Sequence, residues 1–119
     1  MAKNSILRSR RKLLINFFNS EISRHSKIIK ENPFVAEVYL YRGFAYEKRG
    51  DLKQAIADYS KAIKLKPDYI ESYLYRTVAY FCNGDFSKSR KDIHRIEKLG
   101  IKLSPVFLRC LKTASGRER

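Results

Sequence analysis

A chain of 119 residues is one domain's worth of material, and its 44% hydrophobic share is enough to bury a core. Its longest apolar runs span only four or five residues, which excludes a membrane-spanning helix. With 26 Lys and Arg against 12 Asp and Glu the net charge is +14, a field that attracts acidic proteins, nucleic acid or anionic surfaces and says nothing about fold.

Residues 1–35 hold eight basic and two acidic groups. Ile6, Leu13, Leu14, Phe17 and Phe18 fall on helical spacing, with Arg8, Arg10, Arg11 and Lys12 between them. Asn19 or Ser20 can cap a second helix through Ile22, His25, Ile28 and Ile29 to Pro33, so a basic helical hairpin is expected over 1–35. Lys12 to Phe18 is too short for a secretory signal and is interrupted by Asn16. A cytoplasmic protein is the expectation, ahead of organelle targeting by the basic segment.

The middle of the chain repeats. A shift of 34 lays 37–66 on 71–100 without a gap, with twelve identities in thirty positions, among them Tyr39/Tyr73, Arg42/Arg76, Tyr46/Tyr80, Gly50/Gly84 and Asp58/Asp92. Each copy reads as two helices. In the first, Gly50 ends one helix because glycine tolerates left-handed backbone, and Asp51 is placed to cap the next with its carboxylate. Leu52, Ala55, Ile56, Tyr59, Ala62 and Ile63 then follow at three-four spacing until Pro67. The second copy has Gly84-Asp85, then Phe86, Ile93, Ile96 and Leu99, and ends at Gly100.

This pattern resembles the tetratricopeptide repeat (TPR) family. Tyr39, Gly43, Tyr46, Ala55, Tyr59, Ala62 and Pro67 match it nearly completely over 36–69. Over 70–103 the match weakens: Thr77 stands for the small glycine, Ser89 for the first alanine, and Ile93, Ile96 and Ile101 at later positions, as in a terminal copy. The resemblance implies an all-α fold, a short right-handed superhelical α-solenoid of stacked antiparallel helix pairs. Two repeats expose too much apolar surface alone, so the flanks should complete the stack. At the far end Ser104-Pro105 starts a capping helix through Val106, Phe107, Leu108 and Leu111, and the tail from Ala114 reads as frayed within a 104–119 segment.

The resemblance also implies a site on the concave, first-helix surface. Carried over by position, its lining is Glu37, Leu40, Tyr41, Phe44, Glu47 and Lys48, then Glu71, Leu74, Tyr75, Val78, Phe81 and Cys82. Leu40, Phe44 and Tyr75 stand where the family's carboxylate-gripping clamp wants Lys and Asn, so an apolar helix or extended peptide suits the groove better. Filling by the chain's own N-terminal helix, or by a second copy as a homodimer, is the alternative. Arg42 and Arg76 form either a basic ladder for an acidic partner or ion pairs with a neighbouring helix. Glu47 and Asp58 sit where helix-surface ion pairs are expected.

Nothing in the sequence points to catalysis. His25 and His94 have no ligand partner at metal spacing, Cys82 and Cys110 form no CxxC motif, and no glycine-rich phosphate loop is present. No metal or cofactor is expected. The expected function is a non-enzymatic adaptor that binds a protein or peptide, with basic flanks favouring an acidic one. The alternative is a basic accessory protein that meets RNA or DNA through Arg8, Arg10, Arg11 and Lys12, resting on charge alone.

Overall fold

The computed structural model describes residues 2–115, and every regular element among them is an α-helix. In chain order these are α1 (Ala2–Glu31), α2 (Ala36–Arg49), α3 (Leu52–Leu65), α4 (Ile70–Cys82), α5 (Phe86–Lys98) and α6 (Pro105–Ser115). Helices α1 to α5 pack each on the next, α2 also touches α4, and α6 folds back on α4. The architecture is the all-α solenoid of paired helices that the periodicity implies.

The two tight connections follow from Gly-Asp. Gly50 and Gly84 hold φ of 99° and 82°, and the amides of Asp51 and Asp85 bond the carbonyls of Tyr46 and Tyr80 five residues back. That six-to-one closure ends the helix and turns the chain. The capping role expected of Asp51 does not materialise. Its backbone sits at φ −91°, ψ 75°, outside extended geometry, and its carboxylate accepts instead from Nε and Nη2 of Arg49. Its main-chain carbonyl still accepts the Ala55 amide.

The expected N-terminal hairpin is absent. Residues 2–31 form one continuous helix about 45 Å long, with no break at Asn19 or Ser20. Asn16-Phe17 occupy the period position held later by Gly50-Asp51 and Gly84-Asp85, and nothing in that pair favours the left-handed turn. The C-terminal half of α1 nonetheless belongs to the repeat. Shifted by 34, Ile22, Ser26, Lys27, Ile29, Lys30 and Pro33 fall on identical residues at 56, 60, 61, 63, 64 and 67. This half is the second helix of a preceding unit.

The core runs along the α2–α3–α4 seam: Ala36, Tyr39, Leu40, Ala55, Tyr59, Ala62, Tyr69 and Ala79, with Ile29, Tyr46, Leu52, Ile56 and Leu65 against it. Gly43 admits Tyr59. A Cβ there would lie 2.7 Å from Tyr59 Cε1, so only glycine lets α3 come this close. At the C-terminal end Ser104 Oγ accepts the Phe107 amide at 3.0 Å, and Leu111 of α6 is buried. The tail expected beyond it lies, from residue 116, outside the described residues.

Candidate functional site

The solvent side of the first helices carries aromatic rings one repeat apart. Tyr41 on α2 and Tyr75 on α4 are 53% and 37% exposed although both are large and apolar. Between them Phe44 stands edge-on to Tyr75 at 5.7 Å, with the Lys48 ammonium 5.2 Å from its ring centre. Tyr75 is backed by Tyr59, stacked at 5.7 Å, whose hydroxyl donates to Glu47 Oε1 at 2.9 Å. Burial, then the Glu47 carboxylate, pushes the Tyr59 hydroxyl far above its ordinary range, so it remains a neutral donor. The next tyrosine, Tyr69, is pushed up to about 12 by burial and by the nearby charges of Glu37 and Glu71.

The structure brings together only part of the lining expected from the sequence. Tyr41, Phe44, Lys48 and Tyr75 form a contiguous aromatic surface with a cation at its edge. Leu40 is a correction: it is 6% exposed and belongs to the core, because the turn of α2 that carries it faces Tyr59 and Tyr69 rather than solvent. Leu74, Val78 and Glu37 are half-buried and Glu71 is exposed. Phe81 turns towards α5, edge-on to Phe86 at 5.3 Å. Glu47 is tied to Tyr59, and Cys82 is an exposed free thiol.

Arg42 and Arg76 are not available as a ladder. Each guanidinium clamps a buried aspartate of the following helix through two hydrogen bonds: Arg42 to Asp58 at 2.8 and 2.7 Å, Arg76 to Asp92 at 2.8 and 2.6 Å. The remaining nitrogen donates backwards, to Ser26 on α1 and to Ser60 on α3. Tyr39 and Tyr46 flank Arg42 within 5.8 Å, as Tyr73 and Tyr80 flank Arg76 within 5.5 Å. The Asp58 hydrogen bonds outweigh burial and hold Arg42 above its ordinary range. At Arg76 burial is the larger influence and opposes the charge, yet Asp92 still leaves it raised. Asp58, expected on the surface, is thus buried and paired.

Two features had no place in the sequence reading. The first is an open cleft of about 540 Å³ between α1 and α2, whose lining includes Phe17, Phe18, His25, Ile28, Tyr41 and Phe44. His25 is buried, with Nδ1 2.7 Å from the Glu21 carbonyl oxygen, so the ring nitrogen donates there. The 34-residue echo of α1 was its signal. The second is a strip on α5, where Arg90, Lys91, His94, Arg95 and Lys98 share one exposed face. Asp92 lies on the opposite, inward side of α5, held by Arg76. Arg8, Arg10, Arg11 and Lys12 are exposed on α1. Among the described residues no His, Cys, Asp and Glu cluster could hold a metal ion, and no helix is long and apolar enough to cross a membrane.

Residues 36–69 match the tetratricopeptide repeat family. That segment carries a tetratricopeptide repeat. Among solved structures it is similar to the TPR2B domain of yeast Sti1, described as a complex with pHsp70, at a TM-score of 0.70 and 18% identity over 93% of this chain and 97% of that one. At that identity the likeness is one of fold. No curated protein matches the sequence. Tyr41 and Tyr75 stand one 34-residue period apart on α2 and α4.

Proposed function

We propose that this chain is a non-catalytic protein-interaction module that receives an apolar peptide or helix across the first-helix face of α2 and α4. The observation that carries the reading is the exposed Tyr41 and Tyr75 with half-buried Phe44 against Tyr75 and Lys48 at its edge. Exposed aromatics held by ordered neighbours give contact area at low entropic cost, and they concentrate binding energy. The complex of the similar Sti1 domain with pHsp70 supports a peptide partner for this fold. Here, however, Phe44 and Tyr75 occupy positions where a carboxylate clamp needs cations and amides, so apolar side chains of the ligand supply the affinity. Lys48 favours an acidic residue at one end.

The test is selection of peptides from a displayed library on the full chain, followed by titration of a selected peptide. Tyr75→Glu is expected to weaken binding tenfold or more, about 1.4 kcal/mol, with helical circular dichroism unchanged. Equal affinity for Tyr75→Glu and the parent would remove the surface from consideration.

The α5 strip favours a second reading, a polyanion-binding accessory protein. Binding to single-stranded RNA should then fall about tenfold or more between about 50 and 200 mM salt, and Arg90→Gln with Lys91→Gln should abolish it. Salt-independent binding, or none at low salt, would argue against this reading.

A further inference from the structure

The α1–α2 cleft has a filled counterpart one repeat later. His25 lies 5.9 Å from Tyr41 as Tyr59 lies 5.7 Å from Tyr75, and Ser26 meets Arg42 as Ser60 meets Arg76. In the later copy the surface around Tyr59 and Tyr75 is covered by α2, through Gly43, Phe44 and Glu47. Among the described residues no helix takes that place around His25 and Tyr41. Tyr41 is accordingly 53% exposed where Tyr75 is 37%.

By period, the missing first helix is the N-terminal half of α1. Ile6 stands at the position of Leu40, Arg8 at that of Arg42 and the small Ser9 at that of Gly43, the point of closest approach. Because Asn16-Phe17 make no turn, α1 runs straight and carries this segment away from its own cleft. Ile6, Leu7, Leu13, Leu14 and Ile15 are left between 40% and 68% exposed. Such a row in water marks an interface.

We propose that a second copy of this chain completes the unit. Two α1 helices pair antiparallel about a two-fold axis at Asn16–Phe17, and residues 4–15 of each lie in the cleft of the other. Opening a hairpin at its turn and exchanging the arms places the axis at that turn, so the register is dictated by the closed repeat. Gly43 approaches Asp58 and Tyr59 there, and in trans Ser9 approaches Arg24 and His25. The Arg42–Asp58 register carried across sets Arg11 of one copy towards Glu21 of the other. Arg8 meets Arg24, which Glu21 already pairs at 2.7 Å. The exchange lines up three first helices, one of them borrowed, along the concave face. The arm shares Tyr41 and Phe44 with the proposed peptide surface, but self-association is read without any peptide.

Sedimentation equilibrium of the full chain tests this without any peptide. The expected mass is twice 14.0 kDa at micromolar concentration. N16G/F17D restores the turn and should give a helical monomer whose arm fills its own cleft. In a C82S/C110S background, mixing S9C chains with R24C chains should give a disulfide-linked heterodimer. Their counterparts, Gly43 with an added Cβ and Asp58, bring Cβ atoms to 3.1 Å, so a shift of about 0.5 Å outward reaches disulfide spacing. A parent that stays monomeric at about 200 µM, about two-hundredfold above a micromolar Kd, overturns the proposal. So does a doubly substituted S9C/R24C chain that closes its disulfide as a monomer, or a monomer that binds anionic vesicles through its arm, and so does a dimer of the mixed chains lacking the S9C–R24C link.

Discussion

Gly43 and Tyr59 are matched in size: the residue without a side chain faces one of the largest fully buried ones. Alanine at 43 gains about 1 kcal/mol of helix propensity. Its methyl would overlap a Tyr59 ring that Glu47 and Tyr75 hold in place, at a cost of about 1–3 kcal/mol. Gly43→Ala is therefore expected to destabilise by up to about 2 kcal/mol in urea unfolding. The second repeat redistributes the volume, with Thr77 at the glycine position and Ile93 at the tyrosine position. Thr77 is fully buried and its hydroxyl has no hydrogen-bond partner. Thr77→Val keeps the shape and removes that group, so it should stabilise by about 1 kcal/mol, read from the same transition. The departure from the family pattern at 77 was legible in the sequence. That it leaves an unsatisfied hydroxyl was not, since this depends on how α5 seats against α4.

Three helices meet at each arginine. Arg42 joins α1, α2 and α3, and Arg76 joins α3, α4 and α5, with the same donors on the same acceptor types. The arginines are 21% and 17% exposed at the side chain and the aspartates 6% and 5%, so removing one partner strands a buried charge. Arg76→Met should cost about 2–4 kcal/mol, and adding Asp92→Leu should recover much of it. Thermal unfolding of the single and double variants checks both; a single variant as stable as the parent contradicts the clamp. The identity of Arg42/Arg76 and Asp58/Asp92 was plain in the 34-residue shift, but the ion pairs were one of two readings. Sequence spacing places a side chain on its own helix, whereas the partner sixteen residues away is chosen by the crossing of two helices.

As a whole the molecule is extended, with a radius of gyration of 16.2 Å against about 13.5 Å for a compact chain of this length. The straight arm of α1 is one cause. Each copy carries +14, so association of two copies is opposed by charge while polyanion binding is helped by it. Raising salt from about 50 to about 300 mM shortens the reach of both effects. Self-association through the exchanged arms should therefore tighten over a range in which RNA binding on α5 weakens. Sedimentation and an RNA titration on one preparation separate the two surfaces, because their salt dependences have opposite signs.

The sequence by itself determined the helical class, the 34-residue period, the turns at Gly50 and Gly84 and the aromatic character of the first helices. These rest on local backbone preference and on spacing within one helix, which a short window contains. The tertiary structure decided that Leu40 lies in the core, that Arg42 and Arg76 turn inward, that α5 presents cations outward and that α1 does not bend. Each of those depends on which face a neighbouring helix covers. Where Asn16-Phe17 withhold a turn, the neighbour is missing and the face stays open.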